Sequence, residues 1–504
     1  MRLSELLSRA ELSPCEVPKF YDTEITEIVI DSRKASLGCM FVCMVGRNSD
    51  GHKHIREAML RGAVAIVIQE NAIADIPNIC PYVNIIRCES TRSAAAKLYS
   101  VWYGEPAKKL RIVAVTGTNG KTSVSYMLRS IFEAAMYRCG IIGTVMCGSG
   151  ERQIHVSPDD PLANMTTPDP KQLHQLLAFM VADKVEYVFM EVSSHALKLC
   201  KTDGIEFDSA VFTNLSSEHL DFHGDMEDYA FSKAKLFSSA RRSFINIDDK
   251  CSEIMKSAAS GKIYTFSPSG EPSADFYAER IVNKGVDGVG YILRSKNKTV
   301  RISSRIPGGF TVDNTLAAAS VALESGISPT TVHEAIASLC GVEGRMERVP
   351  TGCESAFSVF VDYAHTPDAL ENLLRTVRGF GKKNRIVLVF GCGGDRDKSK
   401  RAVMGGIASR LADRVIITAD NSRGEKTSDI ITDIIGGIAD MSKCLVIEDR
   451  REAIDYVIKN ASIGDVIILS GKGHEKYEID ENGRHVFDEK AIVAETYNKY
   501  HSGN

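Results

Sequence analysis

The stretch from Arg111 to Ser123, Arg-Ile-Val-Ala-Val-Thr-Gly-Thr-Asn-Gly-Lys-Thr-Ser, limits the folds open to this chain more than any other. Its first half is an apolar, β-branched run, which reads as a strand buried on both faces. A turn of small residues follows and ends in Gly-Lys-Thr. Val124, Met127, Leu128, Ile131 and Phe132 then recur at helical spacing. Strand, glycine turn and helix N-terminus together form a phosphate cradle. Backbone N–H groups point inward, the helix dipole favours an anion, Lys121 is placed to reach the β- and γ-phosphates, and the Thr122 hydroxyl can ligate Mg²⁺. The phosphate-binding set is Gly117, Thr118, Asn119, Gly120, Lys121, Thr122 and Ser123. The pattern is a shortened one, because Val115 stands where G-x-x-x-x-G-K-[ST] has its first glycine. The competing reading is a chance glycine turn, and the strand and helix on either side argue against it.

A strand–loop–helix unit uses only part of 504 residues, so several domains are expected: 1–108, 109–341 and 342–504. With 44% hydrophobic and 25% charged residues the composition is that of an ordinary globular protein. A net charge of −4 argues against nucleic-acid or membrane-surface binding, and no apolar run reaches the length of a membrane span. Arg2, Glu5 and Arg9 make the N-terminus an amphipathic helix rather than a signal peptide. The 13 cysteines include no C-x-x-C pair, the pattern of free thiols in a reducing compartment, so a cytoplasmic protein without zinc or disulfides is expected.

In the first domain, Glu24 to Ile30 reads as a strand leading into Asp31-Ser32-Arg33. A glycine-containing loop, Val45 to Gly51, precedes a helix from His52 to Arg61 and a buried strand from Ala63 to Gln69. In the second, Met165-Thr166-Thr167-Pro168-Asp169-Pro170 leads into a helix. The strand Tyr187–Met190 delivers Glu191-Val192-Ser193-Ser194-His195, and Ser209–Phe212 delivers Thr213-Asn214-Leu215 and then Glu218-His219-Leu220-Asp221-Phe222-His223. Ligand residues gather beyond the carboxyl ends of strands in open α/β sheets, so two ends loaded with Glu, Ser, His and Asp are informative together where one alone is not. A β-rich excursion follows over 260–305.

From about Arg345 onward strands and helices alternate regularly. Strands read at Phe357–Val361, Arg385–Phe390, Arg414–Thr418, Cys444–Ile447 and Asp465–Leu469, with helices at Pro367–Val377, Lys400–Leu411, Ser428–Ile438 and Arg451–Lys459. This is the pattern of a doubly wound, mostly parallel sheet, and the fold class is α/β throughout. Polar clusters follow four strands: Asp362-Tyr363-Ala364-His365, Gly391 to Lys398, Asp420-Asn421-Ser422-Arg423 and Gly471-Lys472-Gly473-His474-Glu475. All would fall on one rim of one sheet, the arrangement of a ligand-binding edge.

Taken together, Gly117 to Thr122, Glu191 to His195, Asn214-Leu215 with His219-Leu220-Asp221, Gly344-Arg345-Met346-Glu347, Asp362 to Pro367 and Gly471 to Glu475 resemble the Mur ligases. The likeness is strongest to those members that add diaminopimelate as the third residue of the peptidoglycan precursor. It runs over nearly the whole chain in the family's order. It implies an N-terminal UDP-binding domain, a central ATPase domain and a C-terminal Rossmann-like domain. It also implies an ATP-dependent reaction in which the D-Glu γ-carboxylate of UDP-MurNAc-L-Ala-D-Glu becomes an acyl phosphate that an amine attacks.

By the same resemblance, Lys121, Glu191, His219 and Lys233 are catalytic. Thr122, Glu191, His219 and a carbamylated Lys233 would hold Mg²⁺, and Asn314, Arg345 and Asp362 would join the phosphate loop in gripping ATP. Lys235 is the competing lysine. Ser32, Arg47, Asn48, Ser49, Thr166, Thr167, Ser193 and Lys201 match contacts to the UDP-MurNAc-dipeptide, although Leu199 and Lys201 stand where some members have Gln and Arg. Arg396, Asp420, Asn421, Ser422, Arg423, Gly471 and Glu475 match the amino-acid site. Members using meso-diaminopimelate resemble Asp-Asn-Pro-Arg where this chain has Asp-Asn-Ser-Arg. Arg423 can clamp the distal carboxylate that diaminopimelate has and lysine lacks, and Glu475 suits its distal ammonium. The expected partners are small-molecule substrates, with ATP and Mg²⁺ as cofactors and a monomer as the working form. The alternatives are ligation of L-lysine or another amino acid, or a ligase like folylpolyglutamate synthase. A nucleotide switch is disfavoured because the chain lacks an N/T-K-x-D motif.

Overall fold

The computed structural model describes residues 1–12, 21–46, 49–71, 83–150, 152–153, 165–216, 218, 220–351, 356–381 and 384–501. Contacts divide the chain into two compact units, Met1–Phe266 and Ser267–Asn504.

The first unit begins with a four-stranded parallel sheet in the order Ile28–Val29, Met40–Val42, Ala65–Gln69, Asn84–Cys88. Its central strands are apolar because both faces are covered. Ala65 and Val67 meet Leu3, Leu6 and Leu7 of the N-terminal helix, while Ile66 and Ile68 meet Ile55 and Ala58. The strand expected over Glu24–Ile30 pairs only at Ile28–Val29. Its earlier residues bond instead to the N-terminus and a glycine turn, Ile25 N to Met1 O and Thr26 N to Gly38 O. The helix expected from His52 opens as a 3₁₀ turn, Gly51–His54, because Asp50 caps His52 N at 3.0 Å, and it becomes α-helical at Ile55–Leu60.

The second sheet of this unit runs in the order Lys262–Ser267, Arg242–Asn246, Ser209–Phe212, Arg111–Thr116, Tyr187–Glu191, Cys139–Ile142. These strands are all parallel, and two short antiparallel strands continue the edge. The phosphate-loop strand is therefore central. Its register sets Thr116 beside Phe212 and Val115 beside Glu191, so three strands end at one level and empty into one crevice.

The second unit opens with an antiparallel meander, Phe276–Asn283, Val289–Ser295 and Thr299–Ser304, followed by helices Phe310–Glu324 and Pro329–Ser338. A six-stranded sheet follows in the order Glu347–Val349, Ser358–Asp362, Val466–Ser470, Ile386–Phe390, Arg414–Ile417, Cys444–Val446. All but the first strand run parallel. Apolar residues alternate between its two helical layers. Leu388 and Ile468 face Leu370, Leu374 and Ile407, whereas Val389 and Ile467 face Ile454, Ile458 and Val493. The four polar clusters sit at the carboxyl ends of four adjacent strands, so the expected rim exists.

Candidate active site

In the first unit the phosphate loop is built by close backbone approach. A Cβ at Gly117 would lie 1.9 Å from Thr213 Oγ1, so only glycine fits there. Gly120, at φ +88°, turns the chain into the helix Lys121–Ala134 in the left-handed conformation glycine adopts without strain. Asn214 clasps the loop from the neighbouring strand, its Oδ1 accepting from Asn119 N at 3.0 Å while Thr118 N donates to Asn214 O at 2.9 Å. Thr213 Oγ1 donates to Asn119 O at 2.6 Å. The Lys121 ammonium folds back over the loop, donating to Gly117 O and Thr118 O at 2.8 Å each.

Thr122 is buried at the first turn of that helix and donates through Oγ1 to Glu191 Oε2 at 2.9 Å. Glu191 is itself buried and is held by Thr144, whose N lies 3.0 Å from Oε1 and whose Oγ1 lies 3.3 Å from Oε2. Gly143 makes room for it, since a Cβ there would stand 2.1 Å from Glu191 Oε1. A hydroxyl and a carboxylate placed side by side at the mouth of a phosphate loop are the hard oxygen donors that Mg²⁺ prefers. His219, the third expected ligand, lies outside the described residues.

Lys233 lies on the helix Met226–Ala234 with its side chain buried. Its Nζ donates to Gly117 O at 2.9 Å and lies 4.6 Å from the centroid of the Tyr229 ring. Tyr229 in turn hydrogen-bonds Thr118 Oγ1 at 3.2 Å, so this helix is tied to the loop at two points. Burial, reinforced by the Lys121 charge, pushes the Lys233 amine well below its ordinary pKa and favours the neutral, nucleophilic form.

The residues matched to the UDP-MurNAc-dipeptide fall into two groups. Ser32 is buried and donates to Glu57 Oε2 at 2.7 Å. Ser49 is exposed, and Arg47 and Asn48 lie outside the described residues. Thr166 bonds Thr144, and Thr167 and Ser193 bond each other and the backbone at the end of the Glu191 strand. Thr144 Oγ1 and Thr166 Oγ1 are 3.0 Å apart, Thr167 Oγ1 donates to Glu191 O at 3.0 Å, and Ser193 N donates to Thr167 Oγ1 at 3.0 Å. Lys201 pairs with Asp169 at 2.8 Å.

In the second unit the rim is organised by buried charges. Asp362 accepts from Met346 N at 2.7 Å and Ala364 N at 2.8 Å, and burial raises its pKa against the opposing pull of Arg345. Arg345 lies 5.3 Å from the Tyr363 ring centroid. Its Nε is a buried donor with no partner among the described residues, an unmet group suited to an anionic or ribose oxygen. Asn314 is buried on the helix Phe310–Glu324.

The loop Asp420–Arg423 is held from three sides. Asn421 Nδ2 donates to Glu475 Oε2 at 2.8 Å, Arg423 N donates to Ile479 O at 3.0 Å, and Arg423 Nη1 donates to Gly394 O at 2.9 Å and Asn421 O at 3.2 Å. Arg423 itself has φ +51°, and the turn this makes sets its guanidinium beside Gly393. Burial and the nearby Asp420 raise the pKa of Glu475. For Asp420, Lys472 and Arg450 outweigh burial and hold it below the usual range. Gly471 approaches Asp420, and Arg396 is exposed on the loop after Phe390.

Sequence reasoning did not find Gly143, Thr144, Arg401 or Arg450, and it placed Lys472 in the rim motif without giving it a role. Arg450 is fully enclosed and fixes two strand ends, donating to Glu489 Oε1 at 2.8 Å, Ala419 O at 3.0 Å and Ser470 O at 2.9 Å. No motif marks the missed residues. Helical spacing puts Arg401 on a helix and Arg450 at the edge of one, but nothing in it distinguishes them from exposed arginines.

Three family models match the chain in succession: "Mur ligase family, catalytic domain" over 24–114, "Mur ligase middle domain" over 115–322 and "Mur ligase, glutamate ligase domain" over 344–473. A protein of Caldanaerobacter subterraneus subsp. tengcongensis named UDP-N-acetylmuramoyl-L-alanyl-D-glutamate–2,6-diaminopimelate ligase is 42% identical over 498 residues, 98% of each chain. A Clostridium botulinum protein of the same name is 39% identical over 98% of this chain and 99% of its own. A solved structure titled with that ligase name superposes with a TM-score of 0.71 at 31% identity, covering 98% of this chain and 99% of its own. A phosphate loop clasped by Asn214, a buried Thr122–Glu191 pair and a polar rim on a parallel sheet thus occur in a chain that matches these models and relatives end to end, and the chain belongs to the Mur ligase family.

Proposed function

We propose that this chain is the ATP-dependent, ADP-forming ligase that joins meso-diaminopimelate to the D-Glu γ-carboxylate of UDP-MurNAc-L-Ala-D-Glu in peptidoglycan precursor synthesis. The observation that carries the reading is the full-length likeness to relatives named for this reaction, with Arg423 and Glu475 both present on the rim. In the first step a γ-carboxylate oxygen attacks the γ-phosphorus of ATP and ADP leaves. In the second the amino group attacks the acyl carbon, phosphate leaves, and the nitrogen gives up a proton.

The first step brings several negative charges together, so positioning and neutralisation are the protein's main tasks. The loop amides and Lys121 take the triphosphate, and the Lys121 ammonium exchanges its two carbonyl partners for phosphate oxygens. Thr122 and Glu191, joined by His219 and the carbamate of Lys233 as the family likeness implies, would hold Mg²⁺, which would supply further positive charge to the phosphates. Lys233 is the residue for carbamylation. Its neutral amine attacks CO₂, a proton is lost, and a cationic side chain becomes an anionic one, which reverses its electrostatic role. Asn314, Arg345 and Asp362 complete the nucleotide contacts. Ser32, the loop at Arg47–Ser49, Thr166, Thr167, Ser193 and Lys201 take the UDP-MurNAc-dipeptide. Arg423 clamps the distal carboxylate of diaminopimelate, with Asp420, Asn421, Ser422, Gly471 and Arg396 shaping the pocket. Domain limits of 1–108, 109–341 and 342–504, a monomeric form and a cytoplasmic location accompany this reading.

Phosphate release with ATP, Mg²⁺ and UDP-MurNAc-L-Ala-D-Glu, compared across meso-diaminopimelate, L-lysine and L-ornithine, tests it. A bidentate guanidinium–carboxylate contact contributes about 1.5–3 kcal/mol, so meso-diaminopimelate is expected to lead in kcat/KM by roughly tenfold or more, and Arg423→Ala to erase that lead. Equal use of L-lysine, or unchanged selectivity in Arg423→Ala, overturns the amino-acid assignment.

A further inference from the structure

The loop Gly471–Glu475 carries a lysine that the reaction above leaves unused. The Lys472 side chain is completely buried, a state in which an ammonium is kept only where its donors are met. Its Nζ donates to Asn421 Oδ1 at 3.1 Å and to Tyr477 O at 3.1 Å. It also stands 3.6 Å from Asp420 Oδ1 and 5.4 Å from the Phe487 ring centroid. Asn421 Oδ1 accepts a second bond, from Ile479 N at 3.0 Å. Both partners are obligate donors, so the amide atom facing them is the oxygen. The amide nitrogen is thereby turned the other way, onto Glu475 Oε2 at 2.8 Å. Three side chains form a directed relay in which the ammonium fixes the amide and the amide fixes the carboxylate.

We propose that Lys472 is a positioning residue for the incoming amino acid, locking Asn421 so that Nδ2 holds the Glu475 carboxylate toward the distal ammonium of diaminopimelate. This rests on the assignment of Glu475 made above. Without the ammonium, Asn421 Oδ1 keeps one donor of its two, and the amide can flip. A flipped amide turns its oxygen on Glu475 and repels the carboxylate. Asp420 loses one of its two buried cations in the same change and keeps Arg450.

Steady-state kinetics of wild type, Lys472→Met, Lys472→Gln, Glu475→Gln and the Lys472→Met/Glu475→Gln double variant test the relay. For the loss of a buried charged hydrogen bond, Lys472→Met is expected to raise KM for meso-diaminopimelate by about tenfold or more, with a smaller change in kcat. KM for ATP and for UDP-MurNAc-L-Ala-D-Glu should stay near wild type. Lys472→Gln keeps a neutral donor and should recover part of the loss. In the Glu475→Gln background Lys472→Met should add little, because the relay ends at the carboxylate already removed. An equal rise in all three KM values, or fully additive losses, marks a merely structural residue and overturns the proposal. If Lys472→Met does not fold, Lys472→Gln carries the KM comparison alone, and wild-type KM values for it overturn the proposal equally. Absence of wild-type turnover with meso-diaminopimelate defeats the functional reading, whereas normal turnover with an unaffected Lys472→Met defeats only the relay.

Discussion

Glu191 shows how little freedom a single residue has at the phosphate loop. Its carboxylate takes bonds from Thr122 Oγ1, Thr144 N and Thr144 Oγ1, and the space it occupies exists because residue 143 has no side chain. Gly143→Ala would put a methyl group 2.1 Å from Oε1, inside contact distance, so the carboxylate must leave its place beside Thr122. Overpacking of this kind destabilises by about 1–3 kcal/mol, a modest shift in melting temperature for a chain of this size. Turnover should suffer far more, by roughly a hundredfold or more in kcat, because on the proposed function Glu191 would then be turned away from the phosphoryl-transfer site. Phosphate-release assays beside thermal melts check this, and a variant with near-normal kcat refutes it. Lys233 offers a second test at the same scale. Removal of the amine in Lys233→Ala should abolish turnover, and short carboxylic acids should restore part of it by supplying the missing anion. Near-normal activity in the variant without additive excludes a carbamate role.

Among the elements, the helix Ser399–Leu411 is anchored by charge as well as by apolar packing. Arg401 is completely buried within it and donates to Glu425 Oε1 at 2.9 Å and Oε2 at 3.1 Å, to Asp433 Oδ2 at 2.9 Å and to Gly393 O at 3.2 Å. Glu425 also receives Asp395 N at 2.6 Å and pairs with Lys398 at 2.9 Å, so one carboxylate joins the loop after Phe390 to the loop carrying Arg423. These contacts, with Arg401 foremost, hold Glu425 down from 4.5 to about 2. A carboxyl group depressed on folding stabilises the fold fully above its unfolded value and loses that contribution as pH falls toward the folded one. The window here is pH 4.5 down to about 2. Melting temperatures of wild type and Glu425→Gln should therefore be well separated at pH 7 and converge across that window. A gap that does not change with pH shows that Glu425 acts through shape and not through charge.

On the scale of the whole molecule, much of the fold is legible because it is written in periodicity. The strand Arg111–Thr116 and the alternation after Arg345 carry continuous apolar runs that only a two-sided parallel sheet can bury, and the polar rim follows from strand direction alone. The segment Glu24–Glu27 has a strand-like pattern but is not a strand, because its hydrogen bonds go to Met1 and Gly38, partners that periodicity cannot name. Thr144 carries no signal in the sequence, and the role of Lys472 within its motif carries none either, for a related reason, since each matters through distant partners: Glu191 for one, Asn421 and Tyr477 for the other.

The same structure fixes how the chain should melt. The two units carry separate apolar cores, so two-state unfolding is not expected across 504 residues. Calorimetry should give a calorimetric enthalpy exceeding the van't Hoff value, resolved into two transitions. The residues assigned to the UDP-MurNAc-dipeptide all lie within Met1–Phe266, and a ligand at 100 times its Kd stabilises the part that binds it by about 2.7 kcal/mol. For a unit of this size that is a rise of roughly 5 °C. UDP-MurNAc-L-Ala-D-Glu should lift one transition by that amount and leave the other in place. A single transition that moves as a whole would show that the two units unfold as one cooperative body, and the separate cores would then not be separate in energy.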